Sequence, residues 1–312
     1  MTTQPSSIGA IGKPQYDTHN NRVKGFYATV VEDVTGTGSF LEEAKYLMSL
    51  KQATRLTARF VTPSTMESYA SVYGITVETK PIPLSGSWKG HWILYLASNS
   101  IERVEPQAIS SQEDRIIADC LETARRRDPL SKANQNGYKL ETARGVKSDR
   151  DVARLHQLYT EVYKDYVFPL TEDGVAQLVQ NPNSITALAR NRDGRIASVA
   201  VAELVEIKTD KGLLRISEIS DEATHPDHRG NGLNQACVHT AVEELLKVHN
   251  GNIHLIYAEN RATSRGVNQQ SANLGWNFAG RLNRAGRIDA DRDIEVEGPY
   301  EDLNVWYYPL QG

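Results

Sequence analysis

The segment that most constrains this chain is THPDHRGNGLN, residues 224 to 234, which joins a β-favouring run to an amphipathic helix. A strand that turns through glycine into a helix leaves backbone N–H groups unpaired at the positive end of the helix dipole, an arrangement suited to anions. Gly230 and Gly232 let the backbone approach a pyrophosphate with no Cβ in the way, and Arg229 adds a charge-assisted donor. Spacing alone also fits an ordinary Gly-containing turn. The loop has no third glycine and sits late in its half of the chain, which argues against a dinucleotide fingerprint. A Walker A run, GxxxxGK(S/T), is absent from the sequence.

Composition narrows the partners. The 312 residues carry a formal charge of -4 and 24% charged residues, without the basic excess of a nucleic-acid binder. The two cysteines, Cys120 and Cys237, stand far apart and in no metal-ligand spacing, so no metal is expected and a reducing compartment fits. The opening MTTQPSSIGAIGKPQ has no apolar h-region, and no stretch approaches the roughly 18 apolar residues of a membrane span. These features lead us to expect a cytoplasmic, unanchored protein that does not bind nucleic acid.

The order of elements predicts an α/β protein with mixed sheets. Residues 1–15, rich in Ser, Gly, Pro and Thr, are expected to lack fixed structure. Residues 16–101 read as a small α/β domain: strand GFYATVVE, helix SFLEEAKYLMSLKQ, strand RLTARFV, helix TMESYASVYG, strands ITVETKPIPL and HWILYLAS. Residues 102–137 form a polar helical linker, with one helix over Gln112 to Arg127 that ends in three arginines and is expected to be solvated. Residues 138–312 read as strand YKLETARG, helices DVARLHQLYTEVYKDY and DGVAQLVQN, then strands SITALARN and IASVAVAELVEI joined at Asp193-Gly194. Strand RISEISDEATHP, the Gly-rich turn, helix NQACVHTAVEELLKVH, strand IHLIYAEN, helix SRGVNQQSANLG and strands WNFAGRLN and LNVWYYPL complete the series.

The loop resembles the acyl-CoA signature of GNAT N-acetyltransferases, R/Q-x-x-G-x-G/A, with Arg229, Gly232 and Asn234 at the marked positions and Asn234 departing from Gly or Ala. The element order from residue 138 onward also resembles the GNAT fold. Within that superfamily the chain is similar to the β-lysine N-acetyltransferase family, through LYTEVYKDYVFPL, SEISDEATHPDHRGNGL, RATSRGVNQQSANLGWNFAGRL and LNVWYYPL, and through NNRVKGFY and YGITVETKPIPLSG in the first half. The first half further resembles the second half of a GNAT domain without its cofactor loop, placed to wall the acceptor cleft or to form a homodimer surface.

The resemblance implies acetyl-CoA as co-substrate, held by Ala223, Thr224, His225, Arg229, Gly230, Asn231, Gly232, Leu233, Asn234 and Asn268. A backbone N–H near Ala223 or Thr224 is the candidate donor to the thioester oxygen. Glu218 is the first candidate for a base acting through water, and Asp221 for holding a substrate ammonium. Three residues apart on a regular strand, the two face opposite sides unless a bulge intervenes. Glu203 is read as structural, and His225 and His228 as capping or solvent-facing. Many GNAT enzymes carry a tyrosine able to protonate the leaving thiolate where this chain has the weaker acid Ser271, so the thiolate leaves unassisted or with help from Ser271, Tyr307 or Tyr257. Tyr163, Tyr166 and Phe168 follow the first helix of the domain and, with Asn304, are candidates for the acceptor site; packing of the helix end is the alternative role for the aromatics.

The resulting expectation is direct acetyl transfer to the amine of a small amino acid or diamine such as β-lysine. Another amine acceptor, or acyl-CoA binding without catalysis, is the alternative that Asn234 and Ser271 leave open.

Overall fold

A computed structural model describes residues 10–27, 30, 38–63, 75–100, 103, 107–126, 128–288 and 298–310. The helix expected at TMESYASVYG and Arg127 lie outside the described residues. In chain order the strands are β1 (Ala10–Ile11), β2 (Gln15–Asp17), β3 (Arg22–Tyr27), β4 (Arg55–Thr62), β5 (Thr76–Val77), β6 (Ile82–Pro83) and β7 (Trp92–Asn99) in the first half. In the second half they are β8 (Lys139–Arg144), β9 (Ser184–Arg190), β10 (Ile196–Thr209), β11 (Gly212–Thr224), β12 (Leu255–Arg261), β13 (Asn277–Gly286) and β14 (Glu301–Tyr307). The helices are α1 (Gly38–Lys51), α2 (Gln107–Glu122), α3 (Ser131–Gln135), α4 (Asp149–Val162), α5 (Glu172–Val179), α6 (Leu233–Val248) and α7 (Arg265–Asn273).

The strands form two mixed sheets. In the second half the order is β13-β14-β12-β11-β10-β9-β8, antiparallel throughout except for the parallel pair β11 and β12. That pair holds together only from Ile216↔Leu255 to Glu218↔Tyr257, and beyond Glu218 the two strands have no registered partners. Period-two alternation divides the sheet between its two faces: Ala187, Ala189, Ala200 and Ala202 pack with Ala236, Cys237 and Leu245 of α6, while Leu188, Val199 and Val201 pack with Leu155, Tyr159 and Val175 of α4 and α5. Small residues beneath α6 let that helix approach closely.

The first half repeats part of this order. Strand β3 runs parallel to β4, with α1 between them in sequence, and β4 is antiparallel to β7, as β11 relates to β12 and β12 to β14. The halves are joined edge to edge by the antiparallel bridge Thr79↔Gly280 and the bond from Lys80 N to Ala279 O at 2.8 Å. A Cβ at Gly280 would fall 2.7 Å from Glu78 O, so only glycine permits this approach. One hydrophobic core crosses the junction, in which Phe26, Ile93 and Tyr95 pack with Ile216, Leu255 and Val305. Buried Arg59 of β4 pairs with Glu259 of β12 and lies over the rings of Tyr95 and Tyr257, at 4.8 and 5.9 Å from their centroids.

Two expectations are corrected here. Residues 10–15 are not a polar tail: Ala10–Ile11 pair with Gly25–Phe26, and Gln15 with Lys24. The linker is not merely a solvated connector either, since Ile117 and Cys120 of α2 are buried in the core, and Asp119 and Arg265 tie α2 to α7.

Candidate active site

The site begins at an irregularity in β11. Its register with β10 shifts between Val199↔Ala223 and Val201↔Ser220, so Asp221 and Glu222 together stand opposite Ala200. Asp221 takes a left-handed backbone, φ 51, which makes this a β-bulge. Two tyrosines of the α4 segment hold it open: Tyr159 donates to Asp221 O at 2.7 Å and Tyr163 to Glu222 O at 2.5 Å. The bulge cancels the opposite-face geometry of a regular strand, and Glu218, Ser220 and Asp221 line one cavity.

That cavity, about 430 Å³, has the size of a small-molecule site. The second half supplies Glu203, Glu218, Ser220, Asp221 and Glu259, with Tyr166 and Phe168 from the loop after α4. The first half supplies Tyr16, Asp17, His19, Arg22 and Lys24 from β2, β3 and the turn between them. Glu203 stands directly across from Glu218, and Ser220 Oγ donates to Glu203 Oε1 at 2.9 Å. Burial, reinforced by the charges of Asp221 and Glu218, pushes Glu203 up to about 8. Burial likewise pushes Asp221 up to about 6, against the hydrogen bonds of Ser220 and Tyr166. Glu218 is 5% exposed and accepts from Tyr257 Oη at 2.6 Å. Burial, with neighbouring Arg22, lowers Lys24 to about 8, and Asp17 lies 3.8 Å from its Nζ.

A second groove, about 500 Å³, lies between the 224–234 loop and α7. Thr224, Arg229, Gly230, Gly232, Leu233 and Asn234 line one side; Arg261, Arg265, Gly266 and Gln270 line the other, and Tyr163 and Glu222 also reach it. Gly232 caps α6 in the left-handed region, φ 71, and Gly230 has φ 76 with no atom within 4 Å of the place a Cβ would occupy. The helix N-terminus, three arginines and an open glycine surface suit a diphosphate. Asn234 explains its own departure from Gly or Ala. Its Nδ2 turns back to Glu222 Oε2 at 2.5 Å, while its buried Oδ1 has no hydrogen-bond partner among the described residues and is available to a ligand N–H. Gln270 also donates to Glu222 Oε2, at 2.9 Å, and burial pushes Glu222 up to about 7 against both bonds.

Several expected residues lie elsewhere. Ala223 is buried in the core under α4, and His225 N bonds to Ala197 O, so by alternation the N–H of Ala223 points into the β10 ladder. By the same alternation the N–H of Thr224 turns away from β10. His225 folds onto its own turn, its Nδ1 accepting from Asp227 N at 3.2 Å and its Nε2 lying 3.2 Å from Glu161. Asn231 ties the loop to Asn136 and to His228 O.

Asn268 and Asn304 form a buried polar network rather than a ligand surface. Asn268 Oδ1 accepts from Asn304 and Trp306, and its amide caps Arg261 O and Ser264 O at the start of α7. Ser271 is 3% exposed, accepts from Asn260 at 2.8 Å and lines neither cavity. Tyr307 lines a separate cavity with His91, His254 and Pro309. Sequence reasoning missed Gln270, Tyr159 and the first-half residues Tyr16, His19 and Lys24. It also assigned Glu203 to structure, whereas Glu203 lines the acidic cavity. Among the described residues, no group of three or more His, Cys, Asp or Glu side chains is arranged to hold a metal ion, and no helix is long and apolar enough to cross a membrane.

No family model matches the chain. Among curated proteins it is 26% identical over 156 residues to N-acetyltransferase YodP of Bacillus subtilis, covering 50% of each chain. It is 23% identical over 162 residues to beta-lysine N(6)-acetyltransferase of Methanococcus maripaludis, covering 52% of this chain and 53% of that one. The chain thus matches these curated relatives over about half of their length. Among solved structures, it is similar to the ribosomal-protein-S18-alanine N-acetyltransferase of Escherichia coli, with 16% identity, TM-score 0.43, and 56% of this chain and 95% of that one covered. It is also similar to Arabidopsis thaliana NAA60 in complex with acetyl-CoA, with 15% identity, TM-score 0.42, and 55% and 98% covered. The loop at residues 229–234 resembles the GNAT acyl-CoA signature, and the chain is similar over about half its length to two curated N-acetyltransferases.

Proposed function

We propose that this protein is an acetyl-CoA-dependent N-acetyltransferase that transfers acetyl directly to the amine of a small amino acid or diamine, β-lysine being the leading candidate. The observation that carries the reading is the bulge, where consecutive residues line two cavities: Asp221 faces the acidic one and Glu222 the loop groove. A donor in one and an acceptor in the other would meet where β11 and β12 part.

Acetyl-CoA supplies the acetyl group as a thioester. Arg229, Gly230 and Gly232 would receive its diphosphate at the start of α6, and the N–H of Thr224 would be the donor to the thioester oxygen. Asp221 and Glu203 hold a cationic amine, and Glu218 accepts its proton through water before attack. Lys24 and Arg22 on the far wall suit a carboxylate on the same acceptor, which supports an amino acid over a simple amine. Localisation in the cytoplasm and a homodimer remain parts of this proposal.

Thiol release from acetyl-CoA, with mass spectrometry of the product, over a panel containing β-lysine, lysine, diamines, amino sugars and peptides tests it. Turnover confined to small diamino compounds supports the reading. Turnover only on sugars or peptides, or cofactor binding without turnover on any amine, overturns it.

A further inference from the structure

Expelling a thiolate from the tetrahedral adduct is helped by an acid close to the sulfur. Of the tyrosines and serine first considered, Tyr257 donates to Glu218, Tyr307 lines another cavity and Ser271 lines neither the groove nor the acidic cavity. Among the described residues the groove is lined by one carboxyl group, that of Glu222, next in sequence to Asp221 of the acidic cavity. Its two oxygens are not equivalent. Asn234 Nδ2 and Gln270 Nε2 both donate to Oε2, whereas Oε1 accepts none of the described hydrogen bonds. A proton on this group therefore sits on Oε1, because Oε2 already faces two N–H donors.

We propose that Glu222 is a catalytic acid that delivers the proton on Oε1 to the departing sulfur of acetyl-CoA. The inference rests on the acetyltransferase reading above. The neutral amine, whose ammonium proton has passed through water and Glu218 to solvent, bonds to the thioester carbon and sheds its second proton to Glu218. The carbon–sulfur bond breaks, sulfur keeps the electron pair and takes the proton from Glu222, and water in the open groove then reprotonates the carboxylate. The products are the acetylated amine and CoA thiol. Burial that holds Glu222 at about 7 keeps a substantial protonated fraction at neutral pH. Asn234, which departs from the GNAT signature, acts here as a positioning residue that fixes which oxygen carries the proton.

The test uses Glu222→Gln and Asn234→Ala, with the thioether analogue in which a methylene separates sulfur from the acetyl group. Glu222→Gln should bind the analogue within about threefold of wild type yet turn over about 10²-fold more slowly, the usual worth of a positioned acid. It should also lose the basic limb of the kcat profile, where wild type declines as pH rises past about 7. In Asn234→Ala that limb should move to higher pH, because a donor that favours the ionised carboxylate has gone. Difference infrared spectra on binding the analogue should contain a protonated-carboxyl band in wild type that is missing from Glu222→Gln.

An unchanged basic limb in both variants, or the same ligand-sensitive carboxyl band in Glu222→Gln, overturns the proposal while leaving the acetyltransferase reading standing. Should Glu222→Gln fail to fold, the Asn234→Ala profile decides, and an unmoved limb counts against the acid. Failure of wild type to bind the analogue or to turn over any amine instead removes the reading beneath it.

Discussion

Replacing Glu218 by glutamine isolates the proton-accepting step. Glu218 is 5% exposed, stands across from Glu203 and accepts from Tyr257 at 2.6 Å. An amide oxygen can keep that bond, so the cavity retains its shape while losing the carboxylate assigned to accept the proton. Glu218 lies outside the loop groove, so the KM for acetyl-CoA should change by no more than about threefold, as expected for loss of a step rather than of uniform binding. The kcat should fall by about 10²-fold at neutral pH, corresponding to about 2.7 kcal/mol of transition-state stabilisation. As pH rises toward the pKa of the acceptor amine, more of that amine arrives already neutral, and the deficit should shrink. Initial rates of CoA release, measured with the best acceptor of the amine panel from about pH 6 to about pH 10, give both quantities. A deficit of constant size across that range would refute the base assignment and make Glu218 a binding group, with Asp221 the next candidate.

The bulge should depend on Tyr159, whose fully buried hydroxyl satisfies Asp221 O: Tyr159→Phe should lower stability by about 1–3 kcal/mol in denaturant titration and reduce kcat as well, and unchanged kcat would separate the bulge from catalysis. A pH dependence of stability follows from Glu203 and Glu222, both held above their unfolded pKa values, to about 8 and about 7. The native state binds more protons than the unfolded chain in that window, so their stabilising contribution is complete below about pH 4 and is lost as pH rises through 7 to 8. Glu203→Gln should flatten the decline in melting temperature between about pH 5 and about pH 8, and an identical slope would contradict the burial argument.

The cofactor loop and most elements were legible because their signals are local. Glycines punctuate the turn at 230–232, and the apolar positions of α6 recur at helical spacing. Features set by distant partners were not legible. The bulge depends on a left-handed Asp221 and on hydroxyls about 60 residues upstream, which no strand pattern encodes. Asn268 and Asn304, expected at the cofactor and acceptor sites, instead bond to each other, and Asn268 also accepts from Trp306. Pro81 and Pro83 reduced an expected strand to the short pieces β5 and β6, since proline cannot donate to a ladder. Residues 10–15 read as unstructured because their pairing partner, β3, rather than their own composition, orders them.

The account's central claim is that the 224–234 loop binds acetyl-CoA, and isothermal titration of acetyl-CoA into wild type and Gly232→Val tests it most directly. Gly232 caps α6 at φ 71, where a β-branched residue carries a strain of about 1–2 kcal/mol, so the loop must rearrange while the buried face of α6 persists. Wild type should bind one acetyl-CoA saturably, and the variant, its far-ultraviolet circular dichroism intact, should bind at least about tenfold more weakly, because backbone N–H groups no longer converge on the diphosphate. Absence of saturable binding in wild type, or equal affinity in a folded variant, would contradict the claim.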